Sequence, residues 1–170
     1  APASIAVTED VAGALTGISF TDVDAGSSSV TVTLSVASGS LAATSGSGVT
    51  VSGTASALTL TGSVANINTF IAASAVSFTT ASNATSSVTL TVDIDDGGNT
   101  GSGGAKADSI TVSLLVTAVN DPPAVTTSAG TQAFIEGAGP VAIDSSLTVT
   151  DVDNATLASA TVAITGNLHA

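Results

Sequence analysis

Three segments of this chain alternate apolar and polar residues without a break: Val30, Val32, Leu34 and Val36; Val88, Leu90, Val92 and Ile94; and Ile110, Val112, Leu114 and Val116. A period of two places each apolar set on one face of an extended strand, whereas a helix repeats its faces every three to four residues. Several strands must therefore bury one face each. Shorter candidates at Ile5 to Thr8, Leu15 to Phe20, Val49 to Ser52, Leu58 to Thr61 and Val76 to Thr79 lie between clusters of Gly, Ser, Asn and Asp that interrupt regular structure. The total is about seven or eight strands.

One segment departs from this pattern. Ser63 is placed to cap a short helix in which Val64, Ile67, Phe70 and Ile71 share a face at three- and four-residue spacing. Short antiparallel strands at close intervals, joined by Gly/Ser turns and one helical crossover, predict an all-β fold: a β-sandwich of immunoglobulin-like or cadherin-like form, with a closed barrel as the alternative. The apolar content, 44% of the chain, is nearly all Ala, Val, Ile and Leu. That alphabet suits strands.

The chain also repeats itself. Thr21-Asp22-Val23-Asp24 recurs as Thr150-Asp151-Val152-Asp153; Glu9 corresponds to Glu136, Ile18-Ser19-Phe20 to Leu147-Thr148-Val149, and Ala1-Pro2-Ala3 to Pro122-Pro123-Ala124. After each tetrad comes an alternating stretch, closed by Gly39 in one copy and Gly166 in the other. The repeat predicts a complete sandwich over residues 1–121 and only the opening strands of a second over residues 122–170. Such an opening set cannot close a sandwich and would present an unpaired edge and an apolar face to water. The expectation is that a neighbouring repeat or another copy covers it.

Charge narrows the partners. Thirteen acidic residues face a single Lys, Lys106, for a net charge of -12. Such a chain cannot neutralise phosphates, which argues against nucleic acid and anionic membranes. No stretch reaches the roughly 18 to 20 consecutive apolar residues of a membrane-spanning helix, so no membrane insertion is expected. Neither a charged segment nor an apolar export core stands at Ala1, so any export signal lies outside these residues. With no cysteine, disulfides and thiolate metal sites are excluded together.

The acids are bunched in short loops. Asp22 and Asp24 are two residues apart at the end of an extended segment and emerge on one side; Asp151 and Asp153 do the same, and Asp93 and Asp95 share the outward face of a strand that turns at Asp96, Gly97 and Gly98. Two carboxylates about 4 Å apart repel by roughly 1 kcal/mol in water and roughly 4 kcal/mol at an effective dielectric of 20. One lysine cannot serve them all. Calcium takes six to eight oxygens at about 2.3 to 2.6 Å from carboxylates, amides, carbonyls and water, and oxygen-only donors favour it over zinc. Asp-x-Asp alone is also an ordinary turn; the recurrence of Glu, Asp-x-Asp and Asn120-Asp121-Pro122 at repeat boundaries is what points to calcium. Two other calcium motifs fail. Asp93 to Asn99 opens like an EF-hand loop, but Gly104 stands where the closing Glu is required, and Lys106 occupies a Gly position of the β-helix nonapeptide.

Phe20-Thr21-Asp22-Val23-Asp24, Leu58 to Gly62 leading into Ile67 to Phe70, Val92 to Gly97, and Val116 to Pro123 together resemble the cadherin-like tandem repeats of large secreted bacterial adhesins of the RTX type. The resemblance implies a rod of β-sandwiches on the bacterial surface, with calcium at the joints, acting as a spacer that projects a binding tip. Carried over by residue, it implies that the joint inside this chain uses Asn120 and Asp121 from the linker with Glu136, Asp151 and Asp153, joined by Asp93, Asp95 and Asp96 from the end of the first repeat. Glu9, Asp22 and Asp24 would then serve the joint before it. Ala118 and Pro122 replace the outer Asp and Asn of the cadherin linker Asp-x-Asn-Asp-Asn, which implies about one or two ions per joint.

Rival functions find little in the residues. The one histidine, His169, lies beyond the last expected strand, which argues against a Ser/His/Asp arrangement, and there is neither Trp nor Tyr to form a sugar platform. An enzyme is not expected. Thr-x-Thr runs at Thr31 to Thr33, Thr59 to Thr61 and Thr89 to Thr91 suit an ice-binding face, yet strand alternation explains them more simply. The alternative to a spacer is a fibre or surface-layer subunit, a homo-polymer in which strands of another copy complete the second repeat.

Overall fold

The three alternating runs lie side by side at the centre of one sheet. The structure, a computed structural model, describes residues 1–98 and 103–166; Asn99 of the rejected EF-hand reading and His169 lie outside the described residues. The chain divides into two compact units, Ala1–Val119 and Asn120–Ala170.

In the first unit the elements are β1 (Ser4–Thr8), β2 (Gly13–Ala14), β3 (Ser29–Val36), β4 (Ser40–Ala43), β5 (Thr50–Thr54), β6 (Ala57–Ser63), α1 (Val64–Ala72), β7 (Val76–Thr79), β8 (Val88–Asp95) and β9 (Ala107–Thr117). Six strands form a sheet in the order β1-β9-β8-β3-β6-β5, and three form a second sheet in the order β2-β7-β4. Neither closes into a barrel, since β1 and β5 remain as edges of the larger sheet. All pairings are antiparallel except that of β1 with β9, which runs parallel from Ser4 opposite Ser113 to Thr8 opposite Thr117.

Alternation decides what is buried. Val30, Val32, Leu34 and Val36 of β3, Leu58 and Leu60 of β6, Leu90 and Val92 of β8, and Val112 and Leu114 of β9 point inward. They share one core with Leu41 of β4 and with Val76 and Phe78 of β7. Ile110, expected inward, is 39% exposed near the start of β9. The outward face is a lattice of hydroxyls: Thr50, Thr61 and Thr31 fall in one row across β5, β6 and β3, and Ser52, Thr59 and Thr33 in the next. Cross-strand Thr pairs of this kind add modestly to sheet stability.

The helix forms where its pattern predicts. Ser63 Oγ accepts the Asn66 N–H at 3.2 Å, and Ile67, Phe70 and Ile71 are buried. Leu15 to Phe20 departs from its expected strand. Leu15 and Ile18 are buried, but Gly17 has φ +80°, outside the extended region, and only Gly13–Ala14 pairs with β7. A strand was not expected at Ser40–Ala43, where Leu41 is the single large apolar residue.

The second unit has β10 (Ala124–Thr126) and β11 (Thr148–Thr150), an antiparallel pair with Ala124 opposite Thr150. The loop between them is held by Asp144, whose carboxylate accepts the N–H groups of Ser128 at 2.7 Å and Ser146 at 2.8 Å. Its apolar residues, among them Phe134, Ile135, Ile143, Val162 and Ile164, are exposed. No helix among the described residues is long and apolar enough to cross a membrane.

Candidate metal centre

The parallel pairing of β1 with β9 carries Glu9 to the end of the sheet where the first unit hands over to the linker. Glu9 N–H continues the ladder to the Thr117 carbonyl at 3.0 Å. Asp10 then turns the chain away at φ +56°, its N–H held by Thr80 Oγ1 at 2.8 Å. The Glu9 side chain stays behind. Its Oε2 accepts the Val119 N–H at 2.9 Å, the residue is 1% exposed, and Oε1 is buried with no hydrogen-bond partner among the described residues.

Among the described residues no basic side chain is available to this carboxylate. Lys106 precedes β9, whereas Glu9 sits beside its far end, and the eleven residues of β9 at roughly 3.3 Å each separate the two ends by about 35 Å. A buried carboxylate with one bare oxygen is costly unless a positive charge or a further donor meets it.

In the second unit, the pairing of β10 with β11 brings the linker against the second tetrad. Asp121 N–H donates to Asp153 Oδ2 at 2.6 Å. Asp151 Oδ1 accepts the backbone N–H of Asp153 at 2.9 Å and of Asn154 at 2.8 Å, closing a tight turn. The Asn154 amide reaches Asn120 Oδ1 at 3.5 Å and Asp151 Oδ1 at 3.4 Å. Asn120, Asp121, Asp151 and Asp153 are thus gathered at one place.

The first tetrad adopts the same turn. Asp22 Oδ1 accepts the N–H groups of Asp24 at 3.1 Å and Ala25 at 2.9 Å. The Ala25 and Asp24 N–H bonds hold the Asp22 carboxyl below the ordinary value of 3.8. Asp24 moves the other way: its side-chain hydrogen bond with Asp22, then desolvation and the charge of Asp22, raise it. Two carboxylates this close repel when both are ionised, and a cation between them would relieve that repulsion. Asp95 and Asp96 stand at the same end of the sheet, Asp95 accepting the Gly97 N–H at 2.7 Å and Asp96 accepting those of Gly98 at 2.8 Å and Lys106 at 2.7 Å. Asp93, further down β8, faces Thr33 and Ser109 on the outer surface.

These placements regroup the expected ligands. The sequence reading set Asp93, Asp95 and Asp96 with the linker and Glu9 with the opposite joint. Because β8 is antiparallel to β9 and β1 parallel to it, Asp95 and Asp96 lie at the end where β9 begins, beside Asp22 and Asp24, and Glu9 lies where β9 finishes. Glu136 is exposed, in a turn closed by the Ala138 N–H and the Ile135 carbonyl at 3.2 Å. It is not among the residues gathered around Asp151.

Four contributors had no ligand-like signal in the sequence. Val119 acts through its backbone, Thr80 fixes the turn after Glu9, and Asn154 links the tetrad to the linker. Asn68 of α1 clamps Phe20, its Oδ1 accepting the Phe20 N–H at 2.9 Å and its Nδ2 donating to the Phe20 carbonyl at 2.9 Å, just before the first tetrad. An Asn in mid-helix, where it is a poor helix former, was the available hint.

No family model, curated protein or solved structure matches this chain. The reading of the site rests on its own chemistry: carboxylate, amide and backbone oxygens, with no nitrogen or sulfur donor among them.

Proposed function

We propose that this chain is a non-enzymatic, extracellular structural repeat of a large bacterial surface adhesin. In this reading its first unit is an immunoglobulin/cadherin-like β-sandwich, and calcium held between repeats makes the linker rigid. The observation that carries it is the buried Glu9 carboxylate, with one oxygen on Val119 N–H and the other without a hydrogen-bond partner among the described residues. Its hydrogen-bond donor, Val119, is followed directly by Asn120 and Asp121, so the bond that fixes Glu9 also fixes where the linker starts.

Asp121 and Asp153 would hold an ion at the linker, with Asn120 and Asp151 supplying further oxygens, and Glu9 would offer its bare oxygen to an ion at the end of the first unit's sheet. Three carboxylates and an amide suit calcium's preference for many hard oxygen ligands, with water completing the shell. The ion would supply the charge that no Lys or Arg provides there. Asp22 and Asp24, folded into the same turn as Asp151 and Asp153, would play the same part in the joint before, with Asp95 and Asp96 close by. Glu136, the counterpart of Glu9, would belong to the joint after.

A ligand bound only by the folded state stabilises it by about 2.7 kcal/mol at a hundredfold excess over its dissociation constant. Extracellular calcium modules bind at roughly 0.1 to 1 mM, so millimolar calcium would load the joint. Thermal unfolding in calcium at about 10 mM, roughly tenfold above that range, and in chelator tests the reading. The melting temperature is expected to fall on chelation, and Asp121→Asn with Asp153→Asn to remove most of that difference. Equal melting in both conditions would reject it.

A further inference from the structure

Residues 80–87 join β7 to β8 and contain Asn83-Ala84-Thr85, while Asn154-Ala155-Thr156 follows the second tetrad. Both triplets have the Asn-x-Ser/Thr form of an N-linked glycosylation acceptor, in which the asparagine amide nitrogen takes the sugar and the hydroxyl two residues on is read by the transferase. An asparagine at Asn83 has a simpler explanation too. Its φ of +58° is a conformation that Asn tolerates better than most residues. That accounts for Asn83 and leaves Thr85 unexplained.

The structure separates the two triplets. Asn83 and Thr85 are both exposed, in a segment that belongs to no strand or helix. Asn83 Oδ1 accepts the Ser82 hydroxyl at 3.2 Å, and Nδ2, the atom that would carry a sugar, has no hydrogen-bond partner among the described residues. In the second triplet that atom is engaged. Asn154 Nδ2 donates to Asp151 Oδ1 at 3.4 Å and reaches Asn120 Oδ1 at 3.5 Å. Charge separates them as well: the nearest acids to Asn83 along the chain are Asp24 and Asp93, whereas Asn154 directly follows Asp153. Activated sugars are carried on phosphates, which carboxylates repel.

We propose that Asn83 is an N-glycosylation site and that Asn154 is passed over. The donor is a sugar esterified through its anomeric carbon to phosphate, either as a sugar nucleotide or as a lipid-linked pyrophosphate, and a transferase brings the two together. A bond forms from Asn83 Nδ2 to the anomeric carbon as the carbon–oxygen bond to phosphate breaks. The electron pair of that bond leaves on the phosphate, and the Nδ2 proton passes to a base of the transferase. Because Val88 of β8 lies opposite Leu114 of β9, the modified turn stands at the end of the sheet where β9 finishes. The proposal does not depend on calcium.

Mass spectrometry of the protein isolated from its own cells tests it. Chymotrypsin, which cuts after Phe and Leu, releases Thr79 to Leu90 and Thr148 to Leu157, one triplet in each peptide. The first is expected to carry a sugar mass that fragmentation places on Asn83, and the second to be bare. A single sugar would point to a sugar nucleotide and a preassembled oligosaccharide to a lipid-linked donor; either supports the site. Asn83→Gln and Thr85→Ala should each lose the adduct, and Thr85→Ser, which keeps the hydroxyl, should retain it. A bare Asn83 in the protein from its own cells would overturn the proposal. So would an adduct that survives Asn83→Gln, which would place the sugar on a hydroxyl, or equal modification of Asn154.

Discussion

The backbone N–H of Val119 donates to Glu9 Oε2 at 2.9 Å, joining residues 110 positions apart in the chain. The bond depends on β1 running parallel to β9, because only that direction leaves Glu9 beside the strand's exit. Replacing the carboxylate should therefore be felt at the linker. Glu9→Ala removes the charged acceptor of the Val119 N–H, a bond worth about 1.5–3 kcal/mol. Urea unfolding should show it as a lower midpoint with an unchanged slope.

Asn68 is expected to matter more than its place on a helix suggests. Asn68→Ala loses both bonds to Phe20, for a destabilisation of about 1–3 kcal/mol. The Phe20, Asp24 and Ala25 amides should exchange faster than in the parent chain, while those of β7 keep their protection. Unchanged exchange around the first tetrad would show that the clamp does not position it.

Gly39 has φ +81°, and a Cβ there would lie 2.5 Å from the Thr79 carbonyl oxygen and 2.6 Å from the Phe78 ring. Gly39→Ala should cost about 1–3 kcal/mol through strain and displacement of Phe78. Differential scanning calorimetry should find a lower melting temperature. Gly104→Ala, also at positive φ but with open space around it, should cost less.

The two carboxyls of the first tetrad should titrate on opposite sides of the ordinary value, with Asp144 on the side of Asp22. Asp144 is held below 3.8 chiefly by the Ser128 N–H and then that of Ser146, and Asp22 by the N–H groups of Ala25 and Asp24. A lowered folded-state value means a stabilising contribution that is complete above the unfolded value and lost as pH falls through the folded one. Asp24 has the opposite sign. Its raised value makes the ionised form unfavourable in the folded state at neutral pH, and that penalty is relieved as pH falls through the raised value. Carboxyl carbon shifts followed by NMR should place the Asp22 and Asp144 midpoints below 3.8 and the Asp24 midpoint above it.

How far the residues foretold this structure depends on what each signal encodes. Alternation fixes which side chains point inward, so Val30 to Val36, Leu90 and Val92, and Val112 and Leu114 were legible. So was the helix, where Ser63 and the spacing of Ile67, Phe70 and Ile71 agree. Strand direction leaves no such trace. Nothing in Ile5 to Glu9 announces a parallel partner, and for that reason Glu9 was expected with Asp22 and Asp24 although it lies at the other end of the sheet. The recurring tetrad was legible as a motif, and its two copies share one backbone turn. Its relation to Asn120 and Asp121 follows from β10 and β11, three-residue strands too short for periodicity to mark.

The most direct measurement is a calcium titration by isothermal calorimetry of the chain as it stands and of Glu9→Gln, which keeps an acceptor for Val119 N–H but removes the charge. The account predicts a binding event in the range of roughly 0.1 to 1 mM that is lost or at least tenfold weaker in the variant. It also predicts that in chelator the variant is no less stable than the parent, since a buried charge lacking its counterion has been removed. Identical calcium binding by the two chains, or no calcium binding by either, would contradict the claim that Glu9 is a calcium ligand.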